Sequence, residues 1–320
     1  MEAREIAPSV GSGFMGLRIS LLGRGAWGST LEQLWRAQGH RLRSWSRRDG
    51  GSPLALLEDC DLVVVAVAMR GVTDLASQLL PAWPQGLPLL SCTKGIDVES
   101  LGTASQIWQR HKPGLSLAVL SGPNLADELA RGLPAASVIA CDETALGSRL
   151  QAALVAPNLR LYRNHDPIGT EAAAALKNVM ALAAGVSDGL GLGANARASL
   201  LTRGLAEMGV VLRAFGGQPS TLYGLAGLGD LLATATSPLS RNYRCGLLLA
   251  AGNGEQEAIE RIGATVEGPR TARAAMALAR HQGWALPICT QVERLLDGQI
   301  DGRQAVRELM ERDLREEASA

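Results

Sequence analysis

The sequence predicts an α/β N-terminal domain, built on a doubly wound parallel sheet, followed by a second, all-α C-terminal domain. Three observations carry that expectation. A short apolar stretch, Leu17-Arg-Ile-Ser-Leu-Leu22, runs into Gly23-x-Gly25-x-x-Gly28, with a helix-like segment after it. Strand and helix signals then alternate to about residue 163, which implies parallel strands joined by helical crossovers. From Ile168 onward Ala, Leu and Gly dominate and strand signals fade. At 320 residues two domains are the expectation from length. The boundary falls at Asp166-Pro167, giving 1–16 as a flexible N-terminal extension, 17–166 as a dinucleotide-binding domain and 167–320 as a helical substrate domain.

Each element has its own justification. A strand followed by Gly-x-Gly-x-x-Gly and a helix is the context of a Rossmann-like nucleotide turn. Gly23 permits the tight turn, Gly25 lets backbone approach a pyrophosphate, and Gly28 lets helix and strand pack closely. The anion then faces a helix N-terminus, whose free N–H groups and dipole favour negative charge. Gly11-Ser-Gly13-Phe-Met-Gly16 matches the same pattern, but no strand precedes it and a strand follows, so it reads as part of the extension. Helix 27–38 ends at Gly39, and residues 40–46 alternate as a second strand. Leu62-Val-Val-Val-Ala-Val-Ala68 is apolar throughout, as a strand buried on both faces requires. Helices follow at 71–80, 100–111 and 125–131, and strands at 87–92, 116–120, 135–140 and 159–163. Residues 169–184 form a helix by propensity, and further helices are expected at 195–215, 222–233, 241–251, 254–262, 268–282, 287–297 and 301–315.

Composition excludes several function classes. The 31 basic and 31 acidic residues cancel, so no basic footprint for nucleic acid or an anionic membrane exists, and any anion site is local. Apolar runs such as 62–69 fall well short of the ~20 residues a membrane span needs. Cys60, Cys92, Cys141, Cys245 and Cys289 form no C-x-x-C, and His40, His111, His165 and His281 show no metal spacing, so no metal is expected. The charged start, Met-Glu-Ala-Arg-Glu, lacks a signal-peptide core, and a reducing cytoplasm fits the cysteines best.

Several motifs carry chemistry. Ser46-Arg47-Arg48 stands at the end of the second strand, where NAD-binding folds usually place a carboxylate for the ribose 2′-OH. Arginines there match a 2′-phosphate, which favours NADP(H) with NAD(H) possible; a solvated loop is the alternative, and Asp49 lies close by. Lys94, in Ser91-Cys-Thr-Lys-Gly95, and Ser121-Gly122-Pro123-Asn124 both follow strands, at the sheet end where ligands bind. Asn124 also reads as a helix cap before Leu125. Lys177 borders an apolar stripe of Leu176, Met180 and Ala183. It is either a snorkelling surface lysine or a partly desolvated acid–base group of lowered pKa. Asp230, in Gly227-Leu-Gly-Asp, could bind a hydroxyl or orient a lysine, and Ser240-Arg241-Asn242 could clamp a phosphate.

Taken together these motifs resemble one family. Gly23-Arg-Gly-Ala-Trp-Gly28, Thr93-Lys-Gly95, Ser121-Gly-Pro123, Leu176-Lys-Asn178, Gly185-Val-Ser-Asp-Gly189, Gly193-Ala-Asn-Ala-Arg197, Leu201 to Met208, Gly227-Leu-Gly-Asp230, Ser240-Arg-Asn242 and Val266-Glu-Gly268 occur in order. Over residues 17–310 the chain resembles the bacterial NAD(P)-dependent glycerol-3-phosphate dehydrogenases. The resemblance implies reduction of dihydroxyacetone phosphate to sn-glycerol 3-phosphate for phospholipid synthesis, and a homodimer. It implies Lys177 as acid–base residue and Lys94 as a second lysine facing substrate and cofactor. It implies substrate contacts from Gly122, Asn124, Asp230, Ser240, Arg241 and Asn242. To the glycine turn it adds cofactor contacts from Ala26, Trp27, Arg47, Ala126, Arg241, Thr265 and Glu267.

Two departures stand out. Position 124 is usually Ser or Thr, and position 24 is usually small; Arg24 either points to solvent or reaches the pyrophosphate. Two other readings stay open on the residues. One is a related reductase of the 3-hydroxyacyl-CoA or 6-phosphogluconate type, where the acyl-CoA type needs a histidine near the junction, as at His165. The other is a non-catalytic NADP(H) sensor, which leaves Lys177 and Lys94 without a task.

Overall fold

The chain is described by a computed structural model covering residues 16–313. The expected extension and the first glycine pattern lie outside the described residues, apart from Gly16. The N-terminal half alternates as the sequence predicts: β1 (Arg18–Leu22), α1 (Ala26–Ala37), β2 (Arg41–Trp45), β3 (Leu62–Val65), α2 (Val72–Leu79), β4 (Leu89–Ser91), α3 (Ala104–His111), β5 (Leu117–Ser121), α4 (Ala126–Ala130), β6 (Ala135–Ala140), α5 (Thr144–Leu154) and β7 (Leu159–Asn164). Helix α5 has no counterpart among the sequence expectations. It is only weakly amphipathic, with apolar and small residues spread round it between Glu143 and Val155, so its period does not stand out.

One seven-stranded sheet holds these strands in the order β2-β1-β3-β4-β5-β6-β7. The expectation of an all-parallel sheet needs correction at β6. Strands β2 to β5 are mutually parallel, but β6 pairs antiparallel with β5, Leu120 opposite Ile139, and β7 runs parallel to β6. The connection from β5 to β6 carries only the short helix α4, so the chain turns back at the carboxyl end of β5 instead of crossing over the sheet. Both sheet faces are apolar. Leu21, Val64, Leu90 and Leu120 pack with α1 and α5 on one side, and Leu22, Val63, Val65 and Leu89 pack with α2 and α3 on the other.

After β7 only helices follow among the described residues: α6 (Pro167–Gly189), α7 (Gly193–Ala214), α8 (Pro219–Leu222), α9 (Asp230–Ala235), α10 (Arg241–Ala250), α11 (Glu255–Ile262), α12 (Gly268–Gln282), α13 (Pro287–Leu296) and α14 (Gly302–Met310). Asp166 caps α6, accepting from Gly169 N at 3.0 Å, with Pro167 at the first helical position. The single helix expected at 222–233 is broken into α8, a π-turn over Leu225–Gly229 and α9. Its glycines explain the break: a Cβ on Gly227 would lie 2.0 Å from the carbonyl oxygen of Leu222. Helix α6 is the axis of this half. It is apolar nearly all round and buried from Gly169 to Ser187, wrapped by α7, α9, α10 and α12. The stripe read from the sequence is therefore the whole circumference. Gly185 and Gly246 let α6 and α10 touch backbone to backbone, since a Cβ at either would sit 2.0 Å from a facing carbonyl oxygen.

Candidate active site

The C-terminal ends of β1, β4 and β5 present Gly23, Lys94 and Gly122 along one sheet edge. Gly23 has φ +109°, and a Cβ there would meet Ala66 O at 2.6 Å. Gly28 is closer still: its Cβ would lie 1.9 Å from Gly23 O, so helix α1 approaches the turn only without a side chain. Gly25 differs, because nothing lies within 4 Å of a Cβ built on it. It is the N-cap of α1, no side chain caps that helix, and no acidic residue stands in its first turn. The first N–H groups of Ala26, Trp27 and Gly28 are left for an anion. A pyrophosphate fits this open cradle. Ala126 begins α4 beside α1, where Thr30 Oγ1 reaches its carbonyl at 3.4 Å.

At the end of β2, Ser46 caps a short turn over Arg47–Asp49 and accepts from Arg48 N at 3.2 Å. Arg47 and Arg48 are exposed and make no ion pair among the described residues. Arg24 is about half exposed at the mouth of the turn. It reaches across to Asp49, Nη1 to Oδ2, at 3.1 Å.

The polar centre lies where the two halves meet. Lys94 follows β4, and its Nζ donates to Asp230 Oδ2 at 2.6 Å and to Gly122 O at 3.2 Å. Lys177, in the middle of α6, donates from Nζ to Asp230 Oδ1 at 2.9 Å and to Thr234 Oγ1 at 2.6 Å. One carboxylate thus holds two ammonium groups, one from each half. Asp230 is 1% exposed and Lys177 6%, so the snorkelling alternative for Lys177 falls. Burial pulls the Lys177 ammonium down to about 8, reinforced by Lys94 and Arg241 and opposed by Asp230. Burial pushes the Asp230 carboxyl up, but the two ammonium groups outweigh it and hold it below the usual carboxylate range.

Gly122 has φ +144°, and a Cβ there would come 2.9 Å from Ser137 Cα. Asn124 is not the cap of α4; Leu125 holds that position. Asn124 Oδ1 instead accepts from Ser137 Oγ at 2.5 Å, while its Nδ2 is buried with no partner. A buried donor so placed suits a ligand oxygen. Ser240 caps α10, its Oγ accepting from Tyr243 N at 3.2 Å. Asn242 is tied down at both ends: Nδ2 donates to Asn178 Oδ1 at 2.9 Å, and Oδ1 accepts from Gly268 N at 2.8 Å. Arg241, first in α10, is exposed, and its charge acts on both Lys177 and Glu267. Glu267, whose carboxyl is raised by burial, accepts from Met69 N at 3.4 Å and stands 3.6 Å from the Cβ position of Gly95. Thr265 is half-buried just before it.

Sequence reasoning missed Thr234 and Glu171. Thr234 lies one helical turn after Asp230, so its place was legible only with α9 correctly started. Glu171, on α6, is fully buried and accepts from Ser105 N at 3.1 Å and Ser105 Oγ at 2.6 Å, capping α3. His165 is exposed, its Nδ1 against Cys141 O at 3.2 Å, with no carboxylate partner among the described residues. Among the described residues no group of three His, Cys, Asp or Glu could hold a metal, and no helix is long and apolar enough to cross a membrane.

Comparison with known proteins agrees with this geometry. The family described as NAD-dependent glycerol-3-phosphate dehydrogenase matches in both its parts, the N-terminus over residues 52–146 and the C-terminus over 166–307. A glycerol-3-phosphate dehydrogenase [NAD(P)+] of Synechococcus sp. (strain RCC307) is 54% identical over 301 residues, 94% of this chain and 99% of that one. The protein of the same name from Trichormus variabilis is 46% identical over 93% of this chain and 98% of its own length. The crystal structure of glycerol-3-phosphate dehydrogenase from Coxiella burnetii superposes with a TM-score of 0.88 at 34% identity, covering 93% of this chain and all of the other. With both halves matched in order and the two lysines converging on one buried aspartate, the chain belongs to the NAD-dependent glycerol-3-phosphate dehydrogenase family.

Proposed function

We propose that this protein reduces dihydroxyacetone phosphate to sn-glycerol 3-phosphate, feeding phospholipid synthesis, and that it prefers NADP(H) to NAD(H). The observation that carries this reading is the buried carboxylate shared by Lys94 and Lys177, with the Lys177 ammonium drawn to about 8. Residues 17–166 are read as the cofactor domain and 167–320 as the substrate domain, so the chemistry falls between them.

The reduced nicotinamide, when bound, supplies the hydride. Gly23, Gly25 and Gly28, with the N–H groups opening α1, are suited to its pyrophosphate, and Ala26, Trp27, Ala126, Thr265 and Glu267 to the rest of the dinucleotide. Lys177 is the proton donor. Its Nζ–H stabilises the negative charge that grows on the ketone oxygen and then transfers the proton, leaving a neutral amine held by Asp230 and Thr234. A group that titrates near 8 can give the proton in one direction and take it in the other close to neutral pH. Lys94 adds positive potential, and Asp230 keeps both ammonium groups aimed at one point. Arg241, at the N-terminus of α10 with Ser240 and Asn242, is read as the phosphate clamp. Gly122 and the unpartnered Asn124 Nδ2 would complete the substrate contacts.

The preference for NADP(H) rests on Arg47 and Arg48 at the end of β2. The homodimer is the reading that the family resemblance carries, the cytoplasmic location rests on the cysteine usage, and sedimentation equilibrium tests the oligomer. The reaction itself is tested by following oxidation of NADPH and of NADH, each with dihydroxyacetone phosphate and with unphosphorylated dihydroxyacetone. Turnover of the phosphorylated ketone only is expected. Folded protein that binds the nucleotide yet oxidises neither cofactor refutes the reading.

A further inference from the structure

The charged cluster at the end of β2 contains one carboxylate that works against a 2′-phosphate. Asp49 sits in the turn where a Rossmann fold meets the 2′ position of the adenosine ribose. A free carboxylate there accepts from a ribose hydroxyl and repels a phosphate. In this chain it is not free. Arg24 stands inside the glycine turn, between Gly23 and Gly25, and its Nη1 binds Asp49 Oδ2 at 3.1 Å. The turn and the end of β2 are also tied by backbone, Gly23 N to Trp45 O at 2.8 Å. Side chains at the two places therefore meet in a fixed relation.

We propose that the Arg24–Asp49 pair determines this chain's choice between a 2′-phosphorylated and a 2′-hydroxyl adenosine ribose, an inference that rests on reading the glycine turn as the dinucleotide site. Both partners are about half exposed, 48% and 49%. An ion pair in that setting adds little to stability, so its consequence lies in where it places charge. Arg24 neutralises the one carboxylate of the cluster. Arg47 and Arg48, exposed and without ion-pair partners among the described residues, then set a positive potential. The pairing recorded for Arg24 uses Nη1, so its other N–H donors are available to a phosphate oxygen. Arg24 thus acts twice in the same direction, by cancelling Asp49 and by adding a donor. Its bulk, unusual in this turn, follows from that role.

The test uses probes that carry no nicotinamide, so turnover does not enter. Binding of 2′,5′-ADP and of 5′-ADP is measured by quenching of intrinsic tryptophan fluorescence, Trp27 and Trp45 both lying beside the turn. Wild-type protein should bind 2′,5′-ADP more tightly. Arg24→Ala should weaken 2′,5′-ADP by about tenfold and move 5′-ADP by less than about twofold, the loss of one charge contact in a solvent-accessible site. Asp49→Asn should do the opposite and tighten 2′,5′-ADP several-fold. Equal losses of both probes in Arg24→Ala, or no change in either, overturn the proposal while leaving the dinucleotide site intact. Wild-type protein that binds neither probe, nor NADPH nor NADH, overturns the dinucleotide reading and the proposal with it.

Discussion

Replacing Asp230 by asparagine isolates the one group on which the site converges. The side chain is 2% exposed, and its two oxygens take Lys94 at 2.6 Å and Lys177 at 2.9 Å. At an effective dielectric of ~20, one such contact is worth about 6 kcal/mol. Lys177 titrates near 8 because burial, aided by Lys94 and Arg241, outweighs the attraction of Asp230. Asparagine removes the attraction and leaves every opposing influence in place. At about 1.36 kcal/mol per pKa unit, loss of even a third of that contact moves the ammonium to about 7 or below. The sign follows. With Lys177 as the proposed proton donor, ketone reduction requires its ammonium form, so the rate is expected to fall as pH rises through about 8 in the wild type and at least about one unit earlier in Asp230→Asn. Alcohol oxidation needs the neutral amine, so its rate rises through the same values. The assay is nicotinamide absorbance in both directions across a pH series at saturating substrate, with a circular-dichroism melt to show that the variant folds. The limbs belong to the coupled trio, and the shift between proteins is the quantity read. A folded Asp230→Asn enzyme whose reduction limb stays at the wild-type position refutes the argument that Asp230 sets the Lys177 proton affinity.

Other perturbations separate binding, chemistry and fold. Lys177→Ala should lower kcat for reduction by about 10²-fold or more with nucleotide affinity kept, as rate and fluorescence titration show. Gly25→Ala meets no protein atom, so it should weaken nucleotide binding and leave the melting temperature unchanged. Gly28→Ala drives a methyl against Gly23 O and should lower both in the same two measurements. Glu171→Ala strips acceptors from Ser105 N, Ser105 Oγ and Ser91 Oγ, all in a buried setting, and should cost about 3 kcal/mol in urea unfolding.

Much of this was legible in the chain, and the exceptions have physical causes. The glycine turn reads cleanly because its three glycines each answer a different demand; the geometry shows the tight turn at Gly23 and the close approach at Gly28, and leaves open space beside Gly25. Apolar strands such as Leu62–Val65 announce a sheet buried on both faces, but apolarity carries no direction, so the reversal at β6 is silent in the residues. Lys177 is ambiguous in sequence because alanine serves an exposed helix as well as a buried one. Only the packing of α7, α9, α10 and α12 around α6 decides. Asp230 was legible as a group able to orient a lysine, whereas Thr234 was hidden by the π-turn, which resets the helical phase just before α9. Asn124 was read as a local cap, whereas its oxygen goes to Ser137 on the neighbouring strand, a contact no local pattern encodes.

The placement of charge along α6 explains how two differently built halves hold one reaction geometry. Glu171, near the start of the helix, caps α3 of the sheet half through Ser105 and touches Ser91 at the end of β4 at 3.4 Å. Less than two turns on, Lys177 reaches Asp230, which in turn takes Lys94, three residues beyond Ser91. The same helix therefore grips β4 and its following loop at two points, once through a carboxylate that belongs to α6 and once through an ammonium that shares its partner. The Glu171 contacts and the Lys177–Asp230 pair are buried, and Lys94 is 19% exposed, so water weakens the first grip little and reaches the second only from the Lys94 side. The two differ in what can move. The Glu171 contacts go to a helix N-terminus and to hydroxyls that have no part in the proposed proton transfer, whereas the Asp230 contacts hold the lysine proposed to trade a proton with the substrate. A site in which Lys177 passes between ammonium and amine needs its position fixed by contacts that lie outside the proton transfer, and Glu171, held by Ser105 and Ser91, supplies them from within the same rigid element.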